Sequence, residues 1–275
     1  MFVTRFAPSP TGYLHKGHAF SALTAFEAAR EAGGRFILRV EDIDTTRSRP
    51  EFEAAIYEDL AWLGLAWETP VRRQSEHAAD YQAALARLEA DGLLYRCFRT
   101  RREIAEAMVS APHGAMDVFR GAPLPPAEET ARLAAGEPFA WRLSLDAAAR
   151  RLGGFEGLGF LEEGQGAVAA RPELGGDVVL ARKDVGVAYH LAVVVDDALQ
   201  GVTHVIRGRD LFEATHVQRL LQALLGLPTP AYRHHGLLVG PDGKRFAKRD
   251  RAQTLRSLRE QGMSPADLRK ELGFG

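Results

Sequence analysis

The first forty residues leave few folds open to this chain. Phe2-Val3-Thr4-Arg5-Phe6-Ala7 alternates as a strand does and then meets the turn formers Pro8-Ser9-Pro10-Thr11-Gly12. From His18 to Arg30 the apolar residues Phe20, Leu23, Ala25 and Phe26 recur at helical spacing, Gly33-Gly34 supplies a stop, and Arg35 to Val40 reads as a second strand. Strand, helix and strand in so short a stretch predict a βαβ unit. Its crossover is right-handed, and its parallel strands need helices on both faces, so the expected fold is a doubly wound α/β sheet.

Further along, Pro50 to Leu63 and His77 to Asp91 read as amphipathic helices, and Leu93 to Phe98 reads as a short strand that joins the parallel sheet. Between Thr100 and Gly176 the pattern deteriorates into a short helix from Arg101 to Met108, a stretch rich in Pro, Gly and Ala, and a strand at Phe139 to Leu145. Residues 99–176 are therefore expected to form an inserted α+β subdomain. The original fold resumes with Asp177 to Arg182, the apolar run Tyr189 to Val195 and a helix at Phe212 to Leu225. Tyr232 to Val239 reads as a strand, Pro241-Asp242-Gly243 as its turn, and Leu255 to Gln261 and Pro265 to Leu272 as short closing helices. On this reading residues 1–98 and 177–275 are the two halves of one catalytic domain.

Composition narrows the function classes. A chain of 275 residues and 30.1 kDa can bury a sizeable core, which excludes a small stapled scaffold. With 46% hydrophobic and 26% charged residues, extended disorder is excluded as well. Thirty-five basic against 36 acidic residues give a net charge of −1, so no global field drives nucleic-acid binding. The single cysteine, Cys97, can form neither an internal disulfide nor a Cys-rich zinc cluster, and a reducing compartment fits it best. No apolar run is long enough to span a membrane, and Met1 to Pro10 lacks the pattern of an export signal, so a soluble, cytoplasmic chain with no membrane partner is expected.

The chemistry starts where the first strand hands over to the first helix. His15-Lys16-Gly17-His18 sets two imidazoles three residues apart at a helix N-terminus, where backbone N–H groups and the helix dipole attract phosphate. Gly17 lets a base or sugar approach the backbone, and each imidazole can donate to a phosphate oxygen. Two histidines alone would read as caps, packing residues or metal ligands. The Pro-Ser-Pro-Thr-Gly lead-in and the βαβ context favour nucleotide chemistry.

Arg5-Phe-Ala-Pro-Ser-Pro-Thr-Gly12, His15-Lys-Gly-His18 and Leu38-Arg-Val-Glu-Asp-Ile-Asp44 resemble the signature blocks of glutamyl-tRNA synthetases, which are class I aminoacyl-tRNA synthetases. The resemblance continues through Tyr189-His-Leu-Ala-Val-Val-Val-Asp-Asp197, Gly201-Val-Thr-His-Val-Ile-Arg207-Gly-Arg-Asp210 and the element around Lys248, and covers nearly the whole chain outside Arg99 to Arg171. It implies a Rossmann-like catalytic domain. Only 275 − 248 = 27 residues follow Lys248, so no anticodon-binding domain is expected, and the nearest resemblance is to the truncated paralogues, the glutamyl-Q tRNA(Asp) synthetases. That group activates glutamate with ATP and Mg²⁺ and transfers it to queuosine, the modified wobble base of tRNA(Asp). The competing readings are a glutamate-tRNA ligase acting on the acceptor end, another nucleotidyltransferase of the His-x-Gly-His superfamily, and a non-catalytic tRNA-binding paralogue. A monomer is expected.

The resemblance also distributes roles. His15, His18 and Lys248 are the expected catalytic groups, and with Gly17 they form the ATP site. Arg5 and Arg207 are candidates for carboxylate recognition, where a guanidinium offers paired donors in a plane. Arg209, two residues on, could point the same way as Arg207. Glu41 is expected to hold the α-ammonium, and Ala7, Ser9 and Tyr189 to line the same pocket. Lys248 lies in Arg245-Phe-Ala-Lys-Arg249, a variant of the second class I signature in which Arg245 supplies the first charge and Ala247 removes a hydroxyl. Many relatives bind zinc through a Cys-x-Cys pair in the insertion; here Arg99 follows Cys97, so no zinc of that type is expected, and His113 and Asp117 read as surface-loop residues. Phe119, Leu133, Phe139 and Trp141 would hold the insertion together.

Overall fold

In the computed structural model, residues 1–100, 102–105, 118–182, 186–236, 238 and 253–274 are described. The chain opens with β1 (Val3–Phe6), buried along its whole length, which pairs in parallel with β2 (Arg35–Val40) so that Val3 faces Arg35 and Phe6 faces Leu38. Between them runs α1 (Lys16–Glu31), whose face of Ala19, Ala22, Leu23, Ala25 and Ala29 is buried against the sheet. The return from α1 to β2 requires glycine: a Cβ on Gly34 would lie 2.3 Å from the Phe2 carbonyl oxygen. The predicted βαβ unit is present.

The remaining helices and strands extend this unit on both sides. Arg72–Arg73 (β3) adds in parallel to the far edge of β2, after α2 (Pro50–Trp62). On the other side the backbone N–H of Thr203 donates to the Val3 carbonyl at 2.9 Å, and Val3 N–H donates to the Thr203 hydroxyl at 2.9 Å. That seam seats a further strand, His204–Gly208, beside β1. The chain reaches it through α3 (Ala78–Ala90), β4 (Leu94–Cys97), α4 (Pro126–Ala134), β5 (Ala140–Leu143), α5 (Leu145–Leu152), β6 (Gly159–Glu162), β7 (Gly166–Ala169), β8 (Val179–Arg182), β9 (Gly186–Val187) and α6 (Tyr189–Leu199), so the strand is β10. After α7 (Phe212–Leu225) comes β11 (Ala231–His235), parallel to β10 with Arg207 opposite His234. The chain closes with α8 (Leu255–Glu260) and α9 (Pro265–Glu271).

Pairing corrects the expected placement of three strands. β4 does not join the parallel sheet; it pairs antiparallel with β5, and β5 pairs antiparallel with β8, which pairs antiparallel with β9. Along β4 half-buried Leu94 and Arg96 alternate with buried Tyr95 and Cys97, a one-sided pattern that suits an antiparallel sheet with one wet face. β8 belongs to this second sheet and not to the resumed parallel one. Conversely β6, from the stretch expected to be insertion, pairs in parallel with β11 through Tyr232 opposite Glu162, with β7 antiparallel at its edge, so that β10, β11, β6 and β7 form one sheet. Sheet pairing therefore crosses both expected boundaries, 98/99 and 176/177. Of the predicted helix from Arg101 to Met108, residues 102–105 are helical and the rest lies outside the described residues, as does the turn at Pro241 to Gly243.

Two apolar clusters flank the parallel strands. One packs α1 and α2 on β1 and β2 with Leu255, Leu258 and Leu268 of the closing helices. The other gathers Leu88 of α3, Leu191 and Val194 of α6, and Leu220 and Leu221 of α7 around Leu143, Phe160 and Leu180. Among the described residues no helix is long and apolar enough to cross a membrane.

Candidate active site

His15 is the N-cap of α1, with extended backbone at φ −127°, and its imidazole does the capping. The Gly17 N–H donates to His15 Nδ1 at 3.1 Å, and the His15 N–H donates to His18 Nδ1 at 3.2 Å. A neutral imidazole that accepts at Nδ1 carries its proton on Nε2, so this reciprocal cap sets both rings in the same tautomer. The rings lie face to face, centroids 3.8 Å apart and planes inclined by 32°. Gly17 suits this arrangement: a Cβ there would stand 3.0 Å from His15 Cε1, so the ring would have to shift to admit it. Two Nε2 donors at the positive end of a helix make a site for an anion whose charge grows during reaction.

Below this turn, the C-terminal ends of β1 and β2 carry alternating charges with almost no exposure. Arg5 donates from Nε to Asp197 at 3.1 Å, and the fully buried Arg39 donates to Asp197 at 2.8 Å and to Glu41 at 3.1 Å. Asp196, next to Asp197 on α6, accepts from Arg72, Gln74 and Tyr81. Burial works against ionising Asp197, but Arg5 and Arg39 outweigh it and hold its pKa below the usual carboxylate value. Glu41 is different. Burial raises its pKa above the ordinary value despite the pull of Arg39 and Arg5, so its carboxylate is short of positive charge. A bound ammonium would supply it.

Arg207 of β10 is 5% exposed, whereas Arg209 lies at the surface. The Arg207 guanidinium donates to Thr215 at 2.7 Å, to the Leu211 carbonyl at 3.2 Å and to His234 Nε2 at 3.1 Å, and reaches the Tyr189 hydroxyl at 3.5 Å. Among the described residues no carboxylate pairs with it directly. A buried cation held only by neutral acceptors is an acceptor site for an anionic ligand.

One cavity of about 1640 Å³ is lined by Arg5, Ala7, Ser9, His15, Gly17, His18, Glu41, Tyr189 and Arg207, so the structure brings together the nine expected site residues that are described. Lys248, with Arg245 and Ala247, lies outside the described residues. The chain on either side of it is fixed: Leu238 and Thr254 both line the cavity, Thr254 forms an antiparallel bridge with His15, and Leu255 N–H donates to the Leu14 carbonyl at 2.8 Å. The stretch expected to be an insertion also contributes, through Arg99, Phe139 and Arg142, to the cavity wall. Cys97 is buried in β4 with Arg99 beyond it, a donor set that does not fit a cysteine-based zinc site. Among the described residues no three His, Cys, Asp or Glu side chains cluster as metal ligands, and His113 and Asp117 lie outside them.

Sequence reading missed the residues that brace this site: Arg39, Asp196, Asp197, Thr215, His234 and Glu162. A signal existed for some of them. Arg39 interrupts an apolar strand, and Asp196-Asp197 ends the apolar run of α6, so each charge is buried and must find a partner. Nothing in the pattern named those partners.

The chain matches known proteins over most of its length. A family model described as tRNA synthetases class I (E and Q), catalytic domain, matches residues 1–273. A glutamyl-Q tRNA(Asp) synthetase from Rhodobacter capsulatus is 50% identical, the alignment covering 99% of this chain and 100% of that protein. Another of that name from Symbiobacterium thermophilum is 44% identical, covering 100% of this chain and 86% of that protein. Among solved structures, a glutamate tRNA ligase from Elizabethkingia meningosepticum in complex with its amino acid superposes with a TM-score of 0.75 at 29% identity, over 90% of this chain. The chain spans about half, 52%, of that ligase.

Proposed function

Because the chain belongs to the catalytic-domain family of class I tRNA synthetases for glutamate and glutamine, which are ATP-dependent ligases, we propose that it condenses glutamate with ATP without the help of tRNA. It then transfers the glutamyl group to queuosine at the wobble position of tRNA(Asp). The observation that carries the reading is the shared cavity of the His15–His18 pair and the residues Arg5, Glu41, Tyr189 and Arg207. The high identity to full-length glutamyl-Q tRNA(Asp) synthetases supports the choice of acceptor.

In this reading glutamate enters with its side-chain carboxylate toward Arg207 and its ammonium toward Glu41, and Arg5, Ala7, Ser9 and Tyr189 complete the pocket. Its α-carboxylate attacks the α-phosphorus of ATP in line, the bond to the bridging oxygen breaks, and pyrophosphate leaves; Mg²⁺ arriving with ATP would supply further neutralisation of the triphosphate. The Nε2 protons of His15 and His18 meet the charge that builds on phosphate oxygens, while Gly17 gives the nucleotide room. Lys248 is the cation this reading assigns to the leaving pyrophosphate, where its ammonium would offset the charge that grows in the transition state. A hydroxyl of the queuosine ring then attacks the carbonyl of the mixed anhydride and AMP departs. No protein nucleophile is needed; the side chains orient, neutralise and exclude water.

ATP–pyrophosphate exchange tests the first step. Exchange should require glutamate among the amino acids and no tRNA, and glutamate should then be transferred to queuosine-containing tRNA(Asp) and not to the same tRNA lacking queuosine. Equal charging of both tRNAs would replace this reading with acceptor-end ligation. His18→Ala should lower the exchange rate by about 10²-fold while changing glutamate KM little, because its work is at the reacting phosphate.

A further inference from the structure

We propose that Glu162 and His234 are positioning residues for recognition of the glutamate side chain: they fix the guanidinium of Arg207 through a directed chain of hydrogen bonds. The inference rests on the reading of Arg207 as the ligand of that carboxylate.

The chain begins on β6. Glu162 is 2% exposed, and both its carboxylate oxygens are spent on one residue: the backbone N–H of His234 donates to Oε1 at 2.9 Å, and Oε2 lies 2.8 Å from His234 Nδ1. A buried carboxylate accepts, so His234 Nδ1 carries the proton. His234 Nε2 is then a lone pair, and it accepts from Arg207 Nε at 3.1 Å. Burial and the nearby Arg207 push the pKa of His234 down, which keeps the ring neutral and this polarity intact. Two aromatic rings flank the imidazole. It stacks on Tyr232 at 5.9 Å with planes 4° apart, and Phe212 closes on it edge-on at 5.1 Å.

The consequence falls on Arg207. Its Nε is committed to His234 and its Nη2 to Thr215 and the Leu211 carbonyl, which leaves the Nη1 edge toward Tyr189 and the cavity. An imidazole between Glu162 and Arg207 holds the guanidinium in place without neutralising it, whereas a carboxylate in direct contact would occupy the donors that a ligand must find. This also gives a reason for β6 to pair with β11 beside β10: it delivers Glu162 behind His234.

Three variants, assayed by ATP–pyrophosphate exchange with glutamate and ATP varied separately, test the proposal. His234→Asn keeps a donor near the Nδ1 position but offers nothing at Nε2; it should raise glutamate KM by about tenfold or more, the worth of one hydrogen bond to a charged group, with ATP KM within about twofold. His234→Gln brings its amide oxygen to the Nε2 position and should recover most of that loss. Glu162→Gln is isosteric, but its amide donates to Nδ1 and moves the imidazole proton to Nε2, where it faces the Arg207 Nε–H and can turn only to the Thr215 hydroxyl at 3.2 Å, so that Arg207 loses its acceptor; glutamate KM should rise by a similar factor. Unchanged glutamate KM in both His234→Asn and Glu162→Gln would overturn the proposal, as would parallel rises in both KM values. Should His234→Asn fail to fold, the isosteric Glu162→Gln decides alone. Absence of glutamate-dependent exchange in the unaltered protein would instead remove the reading of Arg207.

Discussion

Between His15 and His18 stands a residue whose contribution is the absence of a side chain. In the first turn of α1 alanine is a better helix former than glycine by about 1 kcal/mol, so stability alone would favour Gly17→Ala. The added Cβ would press on the His15 ring, at 3.0 Å from Cε1 and 3.1 Å from Nδ1. The expected outcome is a melting temperature unchanged or raised, with exchange activity lowered about tenfold, because the proposed function sets that ring against the reacting phosphate. Thermal denaturation and exchange measured on the same preparation check it; equal activity would mean the ring has room to yield. The importance of this turn was legible in the sequence because its residues are neighbours. The bracing of Arg39 by Asp197 was not, because 158 residues separate the pair and single-residue patterns do not encode partners.

At the level of elements, the contact of α2 with α8 contains an unresolved charge. Asp59 of α2 is fully buried, neither of its oxygens accepts a hydrogen bond among the described residues, and Arg259 of α8 approaches only to 3.8 Å. Burial raises its pKa from the ordinary 3.8 to about 6, with Arg259 opposing. A group raised in the folded state contributes stability that is complete below its unfolded value and is lost as the pH rises through about 6. Asp59→Asn should therefore gain about 2 kcal/mol at pH 7.5, and the gain should vanish near pH 4. Urea denaturation at both pH values measures this, and a variant less stable at pH 7.5 would refute it. Long helices such as α1, α2, α3 and α7 are found within a few residues of where periodicity puts them, because twelve or more residues carry the signal. β4, with four residues, told its own conformation and nothing about the strand beside it.

Across the whole molecule, the two apolar clusters are joined at the seam of β1 and β10, where Phe2 stacks on His204 at 3.9 Å and Thr203 bonds to Val3. Thr203→Val removes the acceptor of a buried backbone N–H and should cost about 1–3 kcal/mol. Trp62 and Trp67 lie by the first cluster and Trp141 in the antiparallel sheet, so fluorescence of single-tryptophan versions can report each side. Both reporters should lose stability together in the Thr203→Val background; a shift in one alone would mean that the sides melt independently. The seam also dictates an order of events during synthesis. Arg5 meets its partner Asp197 only after 192 further residues have been added, and Arg207 meets His234 later still. The amino-terminal turn of His15 and His18 is therefore made long before β10 and β11, the strands that supply Arg207 and His235 to the wall of the same cavity, and the cavity closes around it only when the last third of the chain is in place.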